Sequence, residues 1–193
     1  MIQKLSSLLV KWLVQSNAIS QEDYKLFHYA IYSFLWGLTP LCISITLGLF
    51  SGMLFESTIM IIPIIILRRF SGGYHLDSAR KCIFFSTIVL ALALFLVRAV
   101  ILLKCKTLLT SFVTISTISI CHNSPIDSEA RKLSEHEYRA IRKVAHIAAF
   151  LFYAVYIAFL ISNQVMVYSA LGIGVIVPGL LQIPCLAKDI LDL

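Results

Sequence analysis

Apolar residues along this chain form six long runs, separated by short polar segments. Apolar runs approaching about 20 residues are typical of helices that cross a bilayer. We therefore expect an all-α, polytopic membrane helical bundle of about six spans. The predicted spans are residues 27–50, 53–67, 82–103, 108–121, 141–162 and 165–186.

The second and fourth of these runs are short. The fifteen residues 53–67 would rise about 22 Å as a helix, which is less than a hydrocarbon core of about 30 Å. This segment is expected to tilt, to pack inside the bundle, or to dip into the membrane without crossing it. Glu56 within it is interpreted as an interfacial carboxylate near the outer end. The fourth run is rich in Ser and Thr, which suit close helix packing.

The N-terminal residues 1–19 place apolar side chains close to helical spacing, with Lys4 and Lys11 on other faces. This pattern indicates an amphipathic helix that lies in the membrane interface. The next residues, 20–23, resemble a capping box, so the helix of the first span is expected to begin near Gln21. Pro40 lies inside that span and is expected to kink or break it.

Composition and charge agree with a membrane protein. Hydrophobic residues make up 59% of the chain and charged residues 13%, against about 45–50% and about 25% in soluble domains. The net charge of +6 does not indicate a nucleic-acid partner, because the basic residues lie in short segments beside apolar spans. There they set topology and attract anionic lipid headgroups.

The distribution of Lys and Arg predicts the orientation in the cell membrane. If the N-terminus is cytoplasmic, the inner segments hold thirteen Lys and Arg and the outer loops hold two, Lys104 and Lys106. Positive charge is enriched on the cytoplasmic side of membrane proteins. We therefore expect both termini, residues 68–82 and residues 122–143 to be cytoplasmic. No repeat divides the chain, so residues 1–193 are interpreted as a single integral-membrane domain.

The cysteines and histidines indicate neither a disulfide framework nor a metal site. The five cysteines are odd in number, scattered and without a CxxC pair, so reduced thiols are expected. His122, His136 and His146 do not share one obvious metal-ligand spacing. No metal and no cofactor is therefore assigned.

The polar segment 68–82 combines features of a catalytic site. It contains Gly72-Gly73-Tyr74-His75, and Cys82 opens the next apolar run. A capped helix start and basic neighbours would both favour the thiolate of Cys82, which is the nucleophilic form of cysteine. His75 could fold back to act as its base. The simpler alternatives are a surface histidine and an inert, packed thiol.

These residues also carry a resemblance to a known family. Arg69, the GGYH sequence and Cys82 at the mouth of a membrane helix resemble the AgrB family, the membrane cysteine endopeptidases of Gram-positive quorum sensing. The resemblance covers most of the chain, including the amphipathic start, the order of spans and a polar segment that opens with Asn123-Ser124-Pro125. It implies that Cys82 is the nucleophile and that His75 is the general base and later the acid.

The resemblance further implies a substrate and a product. The substrate would be a short amphipathic propeptide similar to AgrD, cleaved on the C-terminal side of the future signal. The enzyme would retain the peptide as an acyl-enzyme on Cys82 and help to close a thiolactone or lactone ring. Membrane lipid is a second expected partner, a homodimer is left open, and no nucleic acid is expected.

Other residues of the two polar segments have two interpretations each. Gly72 and Gly73 bring backbone N–H groups to an oxyanion or form a tight turn that needs positive φ. Asp77 orients His75 or caps the next helix. Arg131 and Lys132 dock an acidic precursor tail or belong to a solvated loop that sets topology. Arg69 joins them as a candidate substrate-binding residue.

Two other functions remain open at this point. The first is a non-enzymatic peptide transporter or channel, consistent with the Ser and Thr of the fourth run. The second is a metal-dependent intramembrane hydrolase that uses His75, Cys121, His122 or His146.

Overall fold

A computed structural model describes residues 2–72, 79–126 and 134–191 of the chain. Every regular element within these ranges is a helix, which confirms the all-α prediction. In chain order the helices are α1 Ile2–Gln15, α2 Tyr24–Ser51, α3 Leu54–Ser71, α4 Ala79–Leu103, α5 Lys106–Asn123, α6 Glu135–Ile161 and α7 Val165–Leu191.

Four of the described helices carry segments that are long and apolar enough to cross a membrane, namely α2, α4, α6 and α7. The predicted class, a membrane helical bundle, is confirmed, but the predicted count of about six spans exceeds these four. The difference lies in α3 and α5, which are 18 residues long. α3 carries Glu56 in its first turn and two arginines in its last turn, and Ser and Thr lower the hydropathy of α5.

The described chain forms two compact units, residues 1–42 and 43–193. In the first unit, α1 exposes Leu5, Leu8 and Trp12, as expected of an apolar face that lies in a membrane interface. Another side of α1 buries Ser6, whose Oγ lies 3.2 Å from Nε2 of His28. That both units act as one integral-membrane domain stays a prediction.

The start of α2 lies three residues after the predicted position, at Tyr24. Ser20 Oγ accepts a hydrogen bond from Asp23 N at 3.3 Å, so the predicted polar turn does precede the helix. α2 continues through Pro40 to Ser51. The helix is therefore not broken at the proline, as membrane helices tolerate.

In the second unit, α7 is the central helix and packs against α3, α4, α5 and α6. Of its most apolar stretch, 72% is buried within the protein, against 28% or less for the other candidate spans. Glycines allow this close approach, since a Cβ at Gly174 would meet Met60 O at 2.6 Å and a Cβ at Gly179 would overlap Ser116 Oγ. α7 is thus the helix against which α3, α4, α5 and α6 pack.

The Ser and Thr side chains of α5 make hydrogen bonds at helix interfaces. Ser116 Oγ donates to Val175 O at 2.9 Å, and Thr110 Oγ1 lies 2.9 Å from the hydroxyl of Tyr156. Thr114 Oγ1 also bonds its own helix, at the carbonyl of Thr110. These contacts support the helix-packing interpretation of the fourth run rather than a polar lining for transport.

Hydrogen bonds between helix ends show which loops share an end of the second unit. Lys106 Nζ, at the start of α5, donates to Asn163 Oδ1 in the turn between α6 and α7. At the other end of α5, Ile126 N donates to Ser71 O at the end of α3, at 3.1 Å. The end of α3 and the segment after Asn123 therefore leave the bundle at one end, which agrees with the grouping that the charge distribution predicts.

Candidate active site

Cys82 lies in the first turn of α4, which begins at Ala79. The first four N–H groups of a helix have no acceptor within the helix, so this end carries partial positive charge. The Cys82 side chain is half-buried and the neighbouring Lys81 is exposed. A half-buried thiol at a helix start remains accessible to a substrate.

The exit of α3 precedes the first residue of α4 by seven residues and is built around Gly72. This residue has φ 74, in the left-handed region that glycine enters without steric cost. A Cβ at this position would also meet Ile126 O at 2.6 Å. Gly72 therefore has the positive φ that one of its two interpretations requires. Arg69, one turn earlier, is exposed.

A buried polar junction, made of Ser71, Ser124 and Gln182, fixes this exit. Gln182 Nε2 donates to Ser124 Oγ at 3.0 Å and lies 3.4 Å from Ser71 O. All three residues are fully buried. The sequence patterns did not single out Gln182. It is the only amide side chain in the apolar run 165–186. That was a usable signal, because polar groups inside membrane helices usually have a hydrogen-bond partner.

Two histidines lie close to the end of α5. His146 Nε2, on α6, lies 2.7 Å from the carbonyl oxygen of Cys121, and His122 Nδ1 lies 3.0 Å from Asn123 Oδ1. In the part of the chain that the structure describes, no three His, Cys, Asp or Glu side chains are grouped as metal ligands would be. Both histidines are therefore engaged in local hydrogen bonds at this end of the bundle.

Residues 5–186 match the sequence model of accessory gene regulator B. The chain belongs to the AgrB family. The match includes the Gly72 turn, the first turn of α4 and the whole buried junction, and it confirms the resemblance carried by the GGYH sequence and Cys82. Membership in the AgrB family indicates a role in the agr quorum-sensing system.

A curated relative of this AgrB-family chain is "Putative AgrB-like protein 2" of Clostridium perfringens (strain 13 / Type A). It is 25% identical over 115 residues, which cover 60% of this chain and 54% of the relative. The chain thus matches about half the length of that relative. No solved structure matches the chain.

Several predicted site residues of this AgrB-family chain lie outside the described residues: Gly73, His75, Asp77, Arg131 and Lys132. The structure places the flanks of both segments, since Gly72 and Ala79 border the first and Ile126 and Ser134 border the second. Three features therefore stay predictions: contact between His75 and Cys82, a role for Asp77, and docking of a precursor tail at Arg131 and Lys132.

Proposed function

We propose that this AgrB-family protein is a membrane cysteine endopeptidase that cleaves a small quorum-sensing peptide precursor and promotes its cyclisation. The observation that carries the proposal is the position of Cys82, in the first turn of α4 and within the residues matched to the family. Helix N-termini stabilise thiolates, and thiolates are the reactive form of cysteine.

The first chemical step forms an acyl-enzyme. The Cys82 thiolate attacks the carbonyl carbon of the scissile peptide bond, and protonated His75 gives its proton to the departing amine. The C–N bond breaks, the C-terminal fragment leaves as a free amine, and the N-terminal part remains on Cys82 as a thioester. N–H groups at Gly72 and Gly73 are the candidate donors to the oxyanion.

The second step closes the ring. A thiol or hydroxyl of the same precursor attacks the thioester carbonyl and gives its proton to His75, and the Cys82 thiolate leaves. The product is a thiolactone or a lactone, and the thiolate–imidazolium pair is restored. A new thioester has an energy similar to the old one, so the step needs no cofactor. It does need water to be kept away, because hydrolysis would discard the acyl group.

Two surfaces are proposed to bring the precursor to this site. The exposed apolar face of α1 would share the membrane interface with an amphipathic precursor. Arg131 and Lys132 would bind an acidic tail by charge, and Arg69 lies exposed at the end of α3. The segment that contains Arg131 and Lys132 begins beside the exit of α3. An acidic precursor tail bound to that segment would therefore be held near the candidate active site.

Replacement of Cys82 tests the proposal. Cys82→Ala should abolish cleavage of a co-expressed AgrD-like precursor without preventing precursor binding, since binding is assigned to other surfaces. Cys105→Ala is the matched control, because Cys105 is also half-buried at a helix start, at the N-cap of α5. The control should cleave normally. Normal cleavage by Cys82→Ala would overturn the proposal.

A further inference from the structure

Gln182 holds an unusual position for a polar residue. It lies on α7, the central helix of the second unit, and its side chain is fully buried. Its amide nitrogen is engaged by the junction, at 3.0 Å from Ser124 Oγ and 3.4 Å from Ser71 O. Among the described residues, its amide oxygen is buried without a hydrogen-bond partner.

Helix packing alone does not explain this amide. Burying a polar group without a partner costs free energy, and an apolar side chain of the same length would pack without that cost. Met is such a side chain, since it is unbranched and adapts to irregular space. The role of the Gln182 amide therefore lies in its contacts with Ser71 and Ser124.

The junction joins segments that are distant in sequence. Ser71 is the last residue of α3 and Ser124 caps the end of α5, so Gln182 ties both helix ends to α7. Ser71 O accepts a second hydrogen bond from Ile126 N at 3.1 Å, and Gly72 packs against Ile126 O. The direction in which the chain leaves α3 is thus fixed on two sides.

The fixed exit bears directly on the candidate catalytic pair. His75 follows Ser71 by four residues, and four residues of extended chain reach at most about 14 Å. α4, which carries Cys82, packs against α7 as well. Both α4, which carries Cys82, and the end of α3, which precedes His75 in sequence, are therefore held by contacts with α7.

We propose that Gln182 is a positioning residue of the candidate active site, which holds against α7 the exit of α3, the end of the described backbone that leads in sequence to His75. This inference rests on the proposed function. Gln182 does not touch the reacting atoms in this account. It acts through the backbone carbonyl of Ser71 and the hydroxyl of Ser124.

The test compares Gln182→Met with Ser169→Ala in the full-length protein purified in detergent. Ser169 is the matched control, because it lies on the same helix, is fully buried, and has an Oγ without a partner among the described residues. Displacing a catalytic group by about 1 Å can cost about a hundredfold in rate. Gln182→Met should therefore lower kcat for precursor cleavage by about tenfold to a hundredfold and leave KM nearly unchanged, while Ser169→Ala should leave kcat unchanged.

A second readout separates positioning from stability. Gln182→Met should also slow the reaction of Cys82 with iodoacetamide, measured per folded molecule in a variant whose only cysteine is Cys82, because a displaced His75 no longer takes the thiol proton. A purely structural role would reduce the amount of folded protein but leave that rate constant unchanged. An unchanged kcat and an unchanged alkylation rate in folded Gln182→Met would overturn the inference.

Ser124→Ala covers the case in which Gln182→Met does not fold. It removes one acceptor of the amide and keeps Gln182, so it should lower kcat in the same direction by a smaller factor. Unchanged kcat in Ser124→Ala would then overturn the inference. Failure of the proposed function looks different, because in that case Cys82→Ala itself would still cleave the precursor.

Discussion

At the scale of single residues, Gly72 combines a positive φ with a close approach to a backbone oxygen. Its φ of 74 and the 2.6 Å approach of a would-be Cβ to Ile126 O both exclude larger residues. Gly52 shares the first feature, with φ 68, but nothing lies within 4 Å of its would-be Cβ.

Gly72→Ala should lose more stability and more activity than Gly52→Ala. Both variants place alanine at a positive φ. Gly72 has ψ −161 as well, a combination that is essentially restricted to glycine, and only Gly72→Ala must also move the backbone at Ile126. Thermal unfolding in detergent and the rate of precursor cleavage measure the two effects. Equal losses in the two variants would mean that the contact with Ile126 does not constrain the exit.

The sequence singles out His75 and Cys82 as catalytic candidates, which stays a prediction, but it does not single out Gln182. His75 and Cys82 stand out because they lie close in sequence, within a polar segment that interrupts apolar runs. Gln182 does not, because its partners lie 58 and 111 residues away along the chain and one of them is a backbone carbonyl. No spacing or periodicity encodes such a contact, which exists only after α3, α5 and α7 have packed.

At the scale of helices, the six apolar runs and the amphipathic spacing of residues 1–19 predicted the existence of every described helix but not every boundary. The run 141–162 is extended to Glu135 by a capping box, in which Ser134 Oγ accepts from Glu137 N. The first two turns of α6 are polar, so hydropathy alone does not reveal them. The central position of α7 was equally hidden, since its hydropathy resembles that of spans that face lipid.

The packing of α7 depends on the absence of side chains at its glycines. Gly174→Ala should lower the unfolding temperature, because its Cβ would meet the carbonyl oxygen of Met60. Gly37→Ala in α2 is the control, since nothing lies within 4 Å of its would-be Cβ and alanine favours a helix by up to about 1 kcal/mol. The control should unfold at the same temperature or higher. Equal unfolding temperatures for Gly174→Ala and the wild type would contradict the close approach of α3 and α7.

At the scale of the whole molecule, the described loops sort into two groups that agree with the distribution of charge. The exit of α3 and the segment after Asn123 lie at one end of the second unit, and Lys106 meets Asn163 at the other. Positive charge is concentrated in the first group. The orientation of this arrangement in the membrane stays a prediction from the charge bias.

Cysteine labelling in intact cells tests that orientation. Lys104 and Arg139 are both exposed, so a cysteine at either position can react with an impermeant maleimide when it faces the medium. In a background that lacks the native cysteines, Lys104→Cys should be labelled from outside. Arg139→Cys should be labelled only after the membrane is opened. External labelling of Arg139→Cys would reverse the predicted topology and place the candidate active site outside the cell.

In the proposed mechanism, Cys82 carries the cleaved precursor as a thioester. This step is tested most directly by intact-protein mass spectrometry after incubation with an AgrD-like precursor whose ring-forming Cys or Ser is replaced by Ala. Ring closure is then blocked, so the account predicts a mass increase equal to the N-terminal part of the precursor, located on Cys82 and removed by hydroxylamine. The adduct should be absent in Cys82→Ala and present in Cys105→Ala. Cleavage of this precursor by Cys82→Ala at the normal rate, or an adduct on another residue, would show that Cys82 is not the nucleophile.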